Sequence, residues 1–242
     1  MEWFESWFDT PYYHLLYSNR DYTEAEQFIT KLTTDLGLPP NSKIIDLACG
    51  KGRHSVFLNK LGYDVLGLDL SRQSIEFDKQ FENKTLKFQV HDMRNPIDAE
   101  PKDAVFNLFT SFGYFDNEDD DKNVFKSVYD SLKPGGFFVL DYLNEDFVRQ
   151  GIVPQSNINR GEIDFKILKK IEGRHIVKDI HFEDQGQSFH YFEKVKLHSL
   201  ETINSYAAEF GFERIKVWGD YQLNEFNREK SPRCINLFKK NS

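Results

Sequence analysis

The chain has 242 residues, 39% hydrophobic and 29% charged, which suits one α/β domain with an embellishment and a sizeable core. With 31 basic against 39 acidic residues the formal net charge is −8, so the chain as a whole repels a phosphate backbone and no nucleic-acid partner is expected. No run approaches the roughly 18 apolar residues of a membrane helix, the start MEWFESWFD lacks the marks of an export signal, and Cys49 and Cys234 have neither metal nor disulfide spacing; a cytoplasmic protein with free thiols, no membrane contact and no metal centre is expected.

The N-terminal segment is rich in rings. Trp3/Trp7 and Phe4/Phe8 follow the i, i+4 spacing of a helix, and Tyr12, Tyr13 and Tyr17 follow them. Such a stripe packs against a neighbour, and Tyr13, Tyr17 and Arg20 also equip it to cover a ligand that carries a cation and a carboxylate, rings on the one and guanidinium on the other. Residues 1–40 are therefore expected to be a helical segment closing over a ligand site.

Residues 43–58, KIIDLACGKGRHSVFL, come next. Ile44, Ile45 and Leu47 suit a strand buried on both faces of a parallel sheet. Small residues follow, Ala48, Gly50 and Gly52, which allow a sharp turn and close approach to a ligand before a helix begins at Arg53. Where a dinucleotide fingerprint has its third glycine, this chain has Ser55. Asp46, just before the turn, is a poor neighbour for a pyrophosphate and a good one for a cation. S-adenosylmethionine (SAM), with its ammonium and sulfonium, fits better than a nicotinamide or flavin dinucleotide.

A second strand over 63–70 ends at Asp69, 17 residues past Gly52, where an acidic side chain at a strand's C-terminal end takes ribose hydroxyls. Asp69 and Ser71 also precede a helix over 72–81, so an N-cap role is compatible. The third strand, 86–90, runs into Asp92 and Met93, a carboxylate and a thioether suited to edge and pack an adenine. A fourth strand over 104–109 leads into TSFGYF, the acidic run 116–121 starts a helix over 118–132, and Pro134 with Gly135 and Gly136 precedes a fifth strand over 137–140. Strands alternating with helices argue for right-handed βαβ units and a doubly wound sheet.

Beyond residues 141–158, read as helix or loop, the pattern changes to period two over 163–172, 175–184 and 188–197, with Gly173 and Gly186 at the reversals. This predicts an antiparallel meander. A helix over 200–210, ended by Gly211, and a hairpin of 212–218 with 233–238 complete the chain. The organisation expected is an N-terminal segment 1–40, a core of 41–158 and 199–242, and an inserted cap of 159–198 over a substrate pocket, where Arg174, His181, His190 and Tyr191 are candidates to meet a substrate.

Together, DLACGKGRH, GLDLS, HDMR, NLFTSFGYF and LKPGGFFVLD resemble the ordered motifs of class I SAM-dependent methyltransferases. The tyrosine-rich segment at 12–17 is similar to that of a bacterial small-molecule subgroup. The resemblance implies a doubly wound, Rossmann-like seven-stranded sheet with a C-terminal antiparallel hairpin, SAM as methyl donor and S-adenosylhomocysteine as product. It implies that 48–52, including Ala48, Cys49, Gly50 and Gly52, contact the methionine part, Asp69 and Leu70 the ribose and adenine, Asp92 and Met93 the adenine, and Leu108 and Phe109 the methionyl group. Ala48 stands where the family often has glycine, so an ordinary, right-handed or extended backbone is expected there. Tyr13, His54, Tyr114 and Tyr142 are candidates to touch the acceptor or take its proton. The reaction expected is in-line methyl transfer to a small molecule; a SAM-binding sensor or carrier without transfer, and an NAD-dependent dehydrogenase, are the alternatives.

Overall fold

In the computed structural model, residues 2–18 and 22–241 are described, and they form two sheets and eight α-helices. The chain opens with α1 (Trp3–Phe8), α2 (Pro11–Leu16) and α3 (Tyr22–Asp35), then alternates β1 (Lys43–Leu47), α4 (Arg53–Lys60), β2 (Asp64–Asp69), α5 (Arg72–Asp78) and β3 (Leu86–Val90). It continues with β4 (Lys102–Asn107), α6 (Glu118–Ser131), β5 (Leu132–Leu143) and α7 (Glu145–Gly151). Four consecutive strands follow, β6 (Gln155–Arg160), β7 (Ile163–Glu172), β8 (His175–Asp184) and β9 (Gln187–Lys196), before α8 (Leu200–Glu209), β10 (Phe212–Trp218) and β11 (Arg233–Lys240). Among the described residues no helix is long and apolar enough to cross a membrane.

The larger sheet has seven strands in the order β10-β11-β5-β4-β1-β2-β3. β1 to β5 pair in parallel, and β11 runs antiparallel between β5 and β10. Strand order reverses between β1 and β4, so their C-terminal ends open a crevice of the kind that holds ligands in open α/β sheets. Period-two alternation decides which helix each side chain meets. Ile45, Leu47, Val105, Phe138 and Leu140 share one buried cluster with Phe125 and Val128 of α6 and Ile203 and Ala207 of α8. Ile44, Val65, Ala104, Phe106 and Val139 share the other with Phe28 and Leu32 of α3, Leu58 of α4 and Ile75 of α5.

The second sheet is the antiparallel insertion, ordered β6-β7-β8-β9, with reversals at Gly173 and Gly186 (φ 59° and 76°). It holds one strand more than the sequence pattern suggests. Residues 155–160 read QSNINR, with little apolar content, and strand structure is tolerable there because β6 is an edge strand whose alternate positions face solvent. Ile163, Phe165 and Ile167 of β7 and Ile180 and Phe182 of β8 bury their common face against Trp7 and Leu16. The N-terminal helices are thus packed on the cap: the Trp7 indole stacks on Tyr191 at 4.6 Å, and its Nε1 donates to Glu193 at 2.9 Å.

A clasp joins cap to core. Tyr142 of β5 is fully buried and its hydroxyl donates to the Lys196 carbonyl at the end of β9, while the Lys196 N–H donates to the Gly113 carbonyl at 2.8 Å. Gly113 has φ 86°, and a Cβ there would collide with the Tyr142 hydroxyl. Gly113→Ala therefore combines overpacking with a left-handed alanine and should cost about 3 kcal/mol, lowering the thermal midpoint by roughly 6 to 12 °C for a chain of this size. Adding Tyr142→Phe, which removes the colliding oxygen, should recover part of that loss in the same melting experiment; no recovery would contradict the clasp.

Candidate active site

The turn after β1 is held by hydrogen bonds from the neighbouring strand end. Cys49 N–H donates to the Leu68 carbonyl at 3.0 Å, prolonging the β1–β2 pairing. Gly50 N–H donates to Asp69 Oδ2 at 2.8 Å, and Ser71 N–H to Asp69 Oδ1 at 2.8 Å. Asp69 thereby shapes the loop and keeps a second acceptor site on each oxygen. The cap of α5 is Ser71, whose Oγ accepts from Ser74 N–H. Ala48, Gly50 and Gly52 all have positive φ, at 62°, 55° and 64°. The ordinary backbone expected at Ala48 is corrected: the alanine is left-handed, a conformation that costs an L-residue roughly 1 to 2 kcal/mol and is held here between the pinned Leu68 and Asp69 contacts.

Beneath the turn lie carboxylates taken out of water. Asp46 is buried and accepts the Ser55 hydroxyl at 2.6 Å, so the residue that breaks the dinucleotide pattern is the partner of the carboxylate that argues against a phosphate. Burial pushes the Asp46 carboxyl up to about 6 against the bond from Ser55, with the Asp69 charge adding to the rise. Burial also raises Asp69. Asp78 of α5 is fully buried, neither oxygen has a hydrogen-bond partner among the described residues, and burial with the charges of Asp69 and Asp46 pushes it up to about 8. A group of acids that resist ionising is a site prepared for a cation.

A cavity of about 370 Å³ opens above the turn. Of the sequence-derived candidates, Tyr13, Tyr17, Asp46, Ala48, Cys49, Gly50, Asp69, Leu70, Asp92, Met93, Leu108 and Phe109 line it, as do His54 and Tyr114. A Cβ at Gly50 would meet no atom within 4 Å, whereas one at Gly52 would meet the Phe88 ring at 2.8 Å and Asp78 Cγ at 3.0 Å. Gly52 itself does not line the cavity, and its missing Cβ leaves room for the Phe88 ring and Asp78 under the loop. Tyr142 belongs to the clasp and lines neither cavity described here. Arg20 lies outside the described residues. Arg174, His181, His190 and Tyr191 of the cap line neither cavity; His181 and His190 stack on each other at 4.4 Å.

His54 is buried and its ring stacks on Phe109 at 4.7 Å and 11°, with the Arg53 guanidinium 5.0 Å from the Phe109 centroid. Asp92 is gripped by the Arg94 guanidinium at 2.7 to 3.1 Å. Burial acts to raise its carboxyl, and Arg94 outweighs burial and holds it below the ordinary value.

A second cavity, of about 230 Å³, lies between the N-terminal helices, the cap and the ends of β5 and β11. Phe8, Tyr13, Tyr17, Phe109 and Tyr114 line both cavities, which therefore adjoin along a shared aromatic wall. Phe109 and Thr110 have φ 60° and 61°. Asp141 holds them: its Oδ2 accepts Phe109 N–H at 2.7 Å and the Tyr221 hydroxyl at 3.2 Å, its backbone carbonyl accepts Thr110 N–H at 3.1 Å, and Arg233 donates twice to its Oδ1. Sequence reading singled out neither Asp141, Arg233 nor Asp78. The only signal for Asp141 was its position at the end of LKPGGFFVLD, in register with the other strand-end acids.

The comparisons with known proteins agree with this geometry. A family model described as "Methyltransferase domain" matches residues 18–217. A putative methyltransferase, YqeM, of Bacillus subtilis (strain 168) is 27% identical over 220 residues, covering 86% of this chain and 87% of its own. The dTDP-3-amino-3,4,6-trideoxy-alpha-D-glucopyranose N,N-dimethyltransferase of Streptomyces venezuelae is 28% identical over 214 residues, covering 85% of this chain and 89% of its own. In fold, the chain is similar to the crystal structure of an S-adenosylmethionine-dependent methyltransferase from Clostridium acetobutylicum ATCC 824, with a TM-score of 0.80 at 21% identity, over 96% of each chain. The family match spans most of the chain and includes the carboxylate-lined turn, which decides against a dinucleotide, and the chain therefore belongs to the methyltransferase-domain family as an enzyme dependent on SAM.

Proposed function

We propose that this enzyme methylates a small molecule seated in the second cavity, which adjoins the SAM cavity along the wall of shared aromatic residues. The observation that carries the reading is that wall: two cavities of ligand size meet at five rings supplied by α1, the segment 13–17 and the loop after β4. When bound, SAM supplies a methyl carbon that an acceptor lone pair attacks as the carbon–sulfur bond breaks; the electron pair stays on sulfur, and any proton on the acceptor atom passes to water.

The chain's residues supply position and dryness. Asp69 has acceptor capacity left for ribose hydroxyls, Asp92 and Met93 stand to edge and pack an adenine, and Ala48, Gly50, Leu108 and Phe109 border the methionyl part. Asp46 and its acidic neighbours favour the ammonium. Tyr13 and Tyr17 put rings toward a sulfonium, an attraction of about 0.5 to 2 kcal/mol, and the N-terminal segment closes the site. Alignment of two reactants in attack geometry supplies on the order of 7 to 11 kcal/mol, so a dedicated base is secondary. Tyr13 and Tyr114 belong to the shared wall and are the candidates nearest an acceptor.

Incubation of the purified protein with methyl-labelled SAM and a cell extract divided into small-molecule and polymer fractions should place label in the small-molecule fraction and release S-adenosylhomocysteine. Label confined to protein or RNA would contradict the proposal.

The buried acid gives a second expectation. Asp46 titrates near 6 in the fold against an ordinary 3.8, so between those values the folded chain keeps a proton that the unfolded chain has released. Stability without cofactor is full below the lower value and falls as pH rises through the higher one, by about 3 kcal/mol at roughly 1.4 kcal/mol for each pH unit. Asp46→Asn should match the parent near pH 4 and melt higher above about pH 7, while SAM, which favours the ionised acid, should bind the parent more tightly as pH rises through 6. A melting difference independent of pH would contradict this role for Asp46.

A further inference from the structure

The polar groups of the second cavity are unequally used. Glu193 is satisfied: Oε1 accepts Trp7 Nε1–H at 2.9 Å and the Tyr17 hydroxyl at 2.7 Å, and Oε2 accepts Lys178 Nζ at 2.6 Å. Lys178 also donates to the Tyr17 hydroxyl at 2.6 Å, so two of its three hydrogens are spent within this cluster. Asp141 is satisfied by Phe109, Tyr221 and Arg233. Arg233 spends Nε and Nη2 on Asp141, and Nη2 also on Thr110 Oγ1 at 2.7 Å, but its Nη1 makes no hydrogen bond to a described residue. The Thr110 hydroxyl accepts that bond and keeps its own hydrogen to give.

Among Lys178, Glu193, Asp141, Thr110 and Arg233 the unspent hydrogens are therefore donors, on the Arg233 guanidinium, the Thr110 hydroxyl and the Lys178 ammonium, with both acidic charges already paired. A neutral or cationic group gains little beside them, whereas a planar anion gains a charge-assisted pair of bonds. Leu143, Ile176 and Val195 make the remaining lining apolar. Thr110 and Arg233 are absent from the lining of the first cavity, which separates this anchor from the region that would hold the cofactor's own carboxylate.

We infer that the methyl acceptor is a small organic acid whose carboxylate is held by Arg233 Nη1 and the Thr110 hydroxyl, with an apolar or aromatic body against the shared wall. This rests on the proposal that the second cavity is the acceptor's. Thr110 follows Phe109 directly, so the acid is compact and its reacting atom is a few bonds from the carboxylate. The carboxylate is the handle; another heteroatom takes the methyl.

The test is calorimetric titration of the full chain loaded with S-adenosylhomocysteine, using benzoate and phenylacetate, their carboxamides, and phenyl phosphate as probes. The acids should bind about tenfold or more tightly than the amides. Arg233→Lys keeps a charge for Asp141 but loses the fork, and should weaken the acids by about tenfold, a larger loss than any it causes in S-adenosylhomocysteine affinity. Thr110→Val, which leaves Arg233 and Asp141 paired, should weaken the acids in the same direction and serves if the arginine variant does not fold. Equal binding of acids and amides, displacement of S-adenosylhomocysteine by the acids, tighter binding of phenyl phosphate than of the acids, or unchanged acid affinity in a folded variant would overturn the inference. Failure of S-adenosylhomocysteine to bind would overturn the cofactor reading and this one with it, whereas its binding without preference for acids overturns this one alone.

Discussion

The buried Asp141 carboxylate is the constraint on which the site's shape depends. It stands at the end of β5 and gathers the Phe109 amide, the Tyr221 hydroxyl and the Arg233 guanidinium. Two consecutive non-glycine residues with positive φ are costly, and such strain persists only where surrounding bonds over-determine it. Here a carboxylate and its own backbone carbonyl hold both residues from one side, and Arg53 with the stacked His54 hold the Phe109 ring from the other. The outcome is a ring fixed where the two cavities adjoin. Removal of one partner from a buried pair of this kind typically costs 3 to 5 kcal/mol, so the same contact organises the site and anchors β11 to the sheet.

A second theme is charge that the fold leaves uncompensated. Asp46, Asp69 and Asp78 crowd around the glycine turn; burial raises all three, the Asp69 charge adds to the rise at Asp46, and the Asp69 and Asp46 charges add to that at Asp78. Elsewhere acids are paired: Asp92 with Arg94, Glu193 with Lys178, Asp103 with Lys133. The contrast makes the turn the place where a cationic ligand returns most free energy. Chain topology brings this about, because β1 and β2 are adjacent parallel strands whose terminal acids reach the same edge of the sheet.

Much of this was legible in the sequence because it is local. Strand-end acids announce themselves by position after apolar runs, and the meander by alternation with glycines at its reversals. The left-handed Ala48 was not legible, since nothing in its neighbours reports that Leu68 and Asp69 pin the loop from another strand. β6 was hidden by polar composition, and nothing beside Tyr142 in the sequence reports that its hydroxyl bonds Lys196, 54 positions away. Arg233 and Asp141 are separated by 92 residues, and no periodicity reports a pair at that distance. Packing partners close in sequence leave a pattern; polar partners brought together by topology leave none.

The two-cavity account is tested most directly by a crystal structure of the protein with S-adenosylhomocysteine. The account predicts the ligand in the cavity bounded by Ala48, Gly50, Asp69, Met93 and Phe109, its amine on the side of Asp46 and its sulfur turned toward the rings of Tyr13 and Tyr114. A ligand seated in the second cavity, or one whose sulfur faces away from that wall, would contradict it.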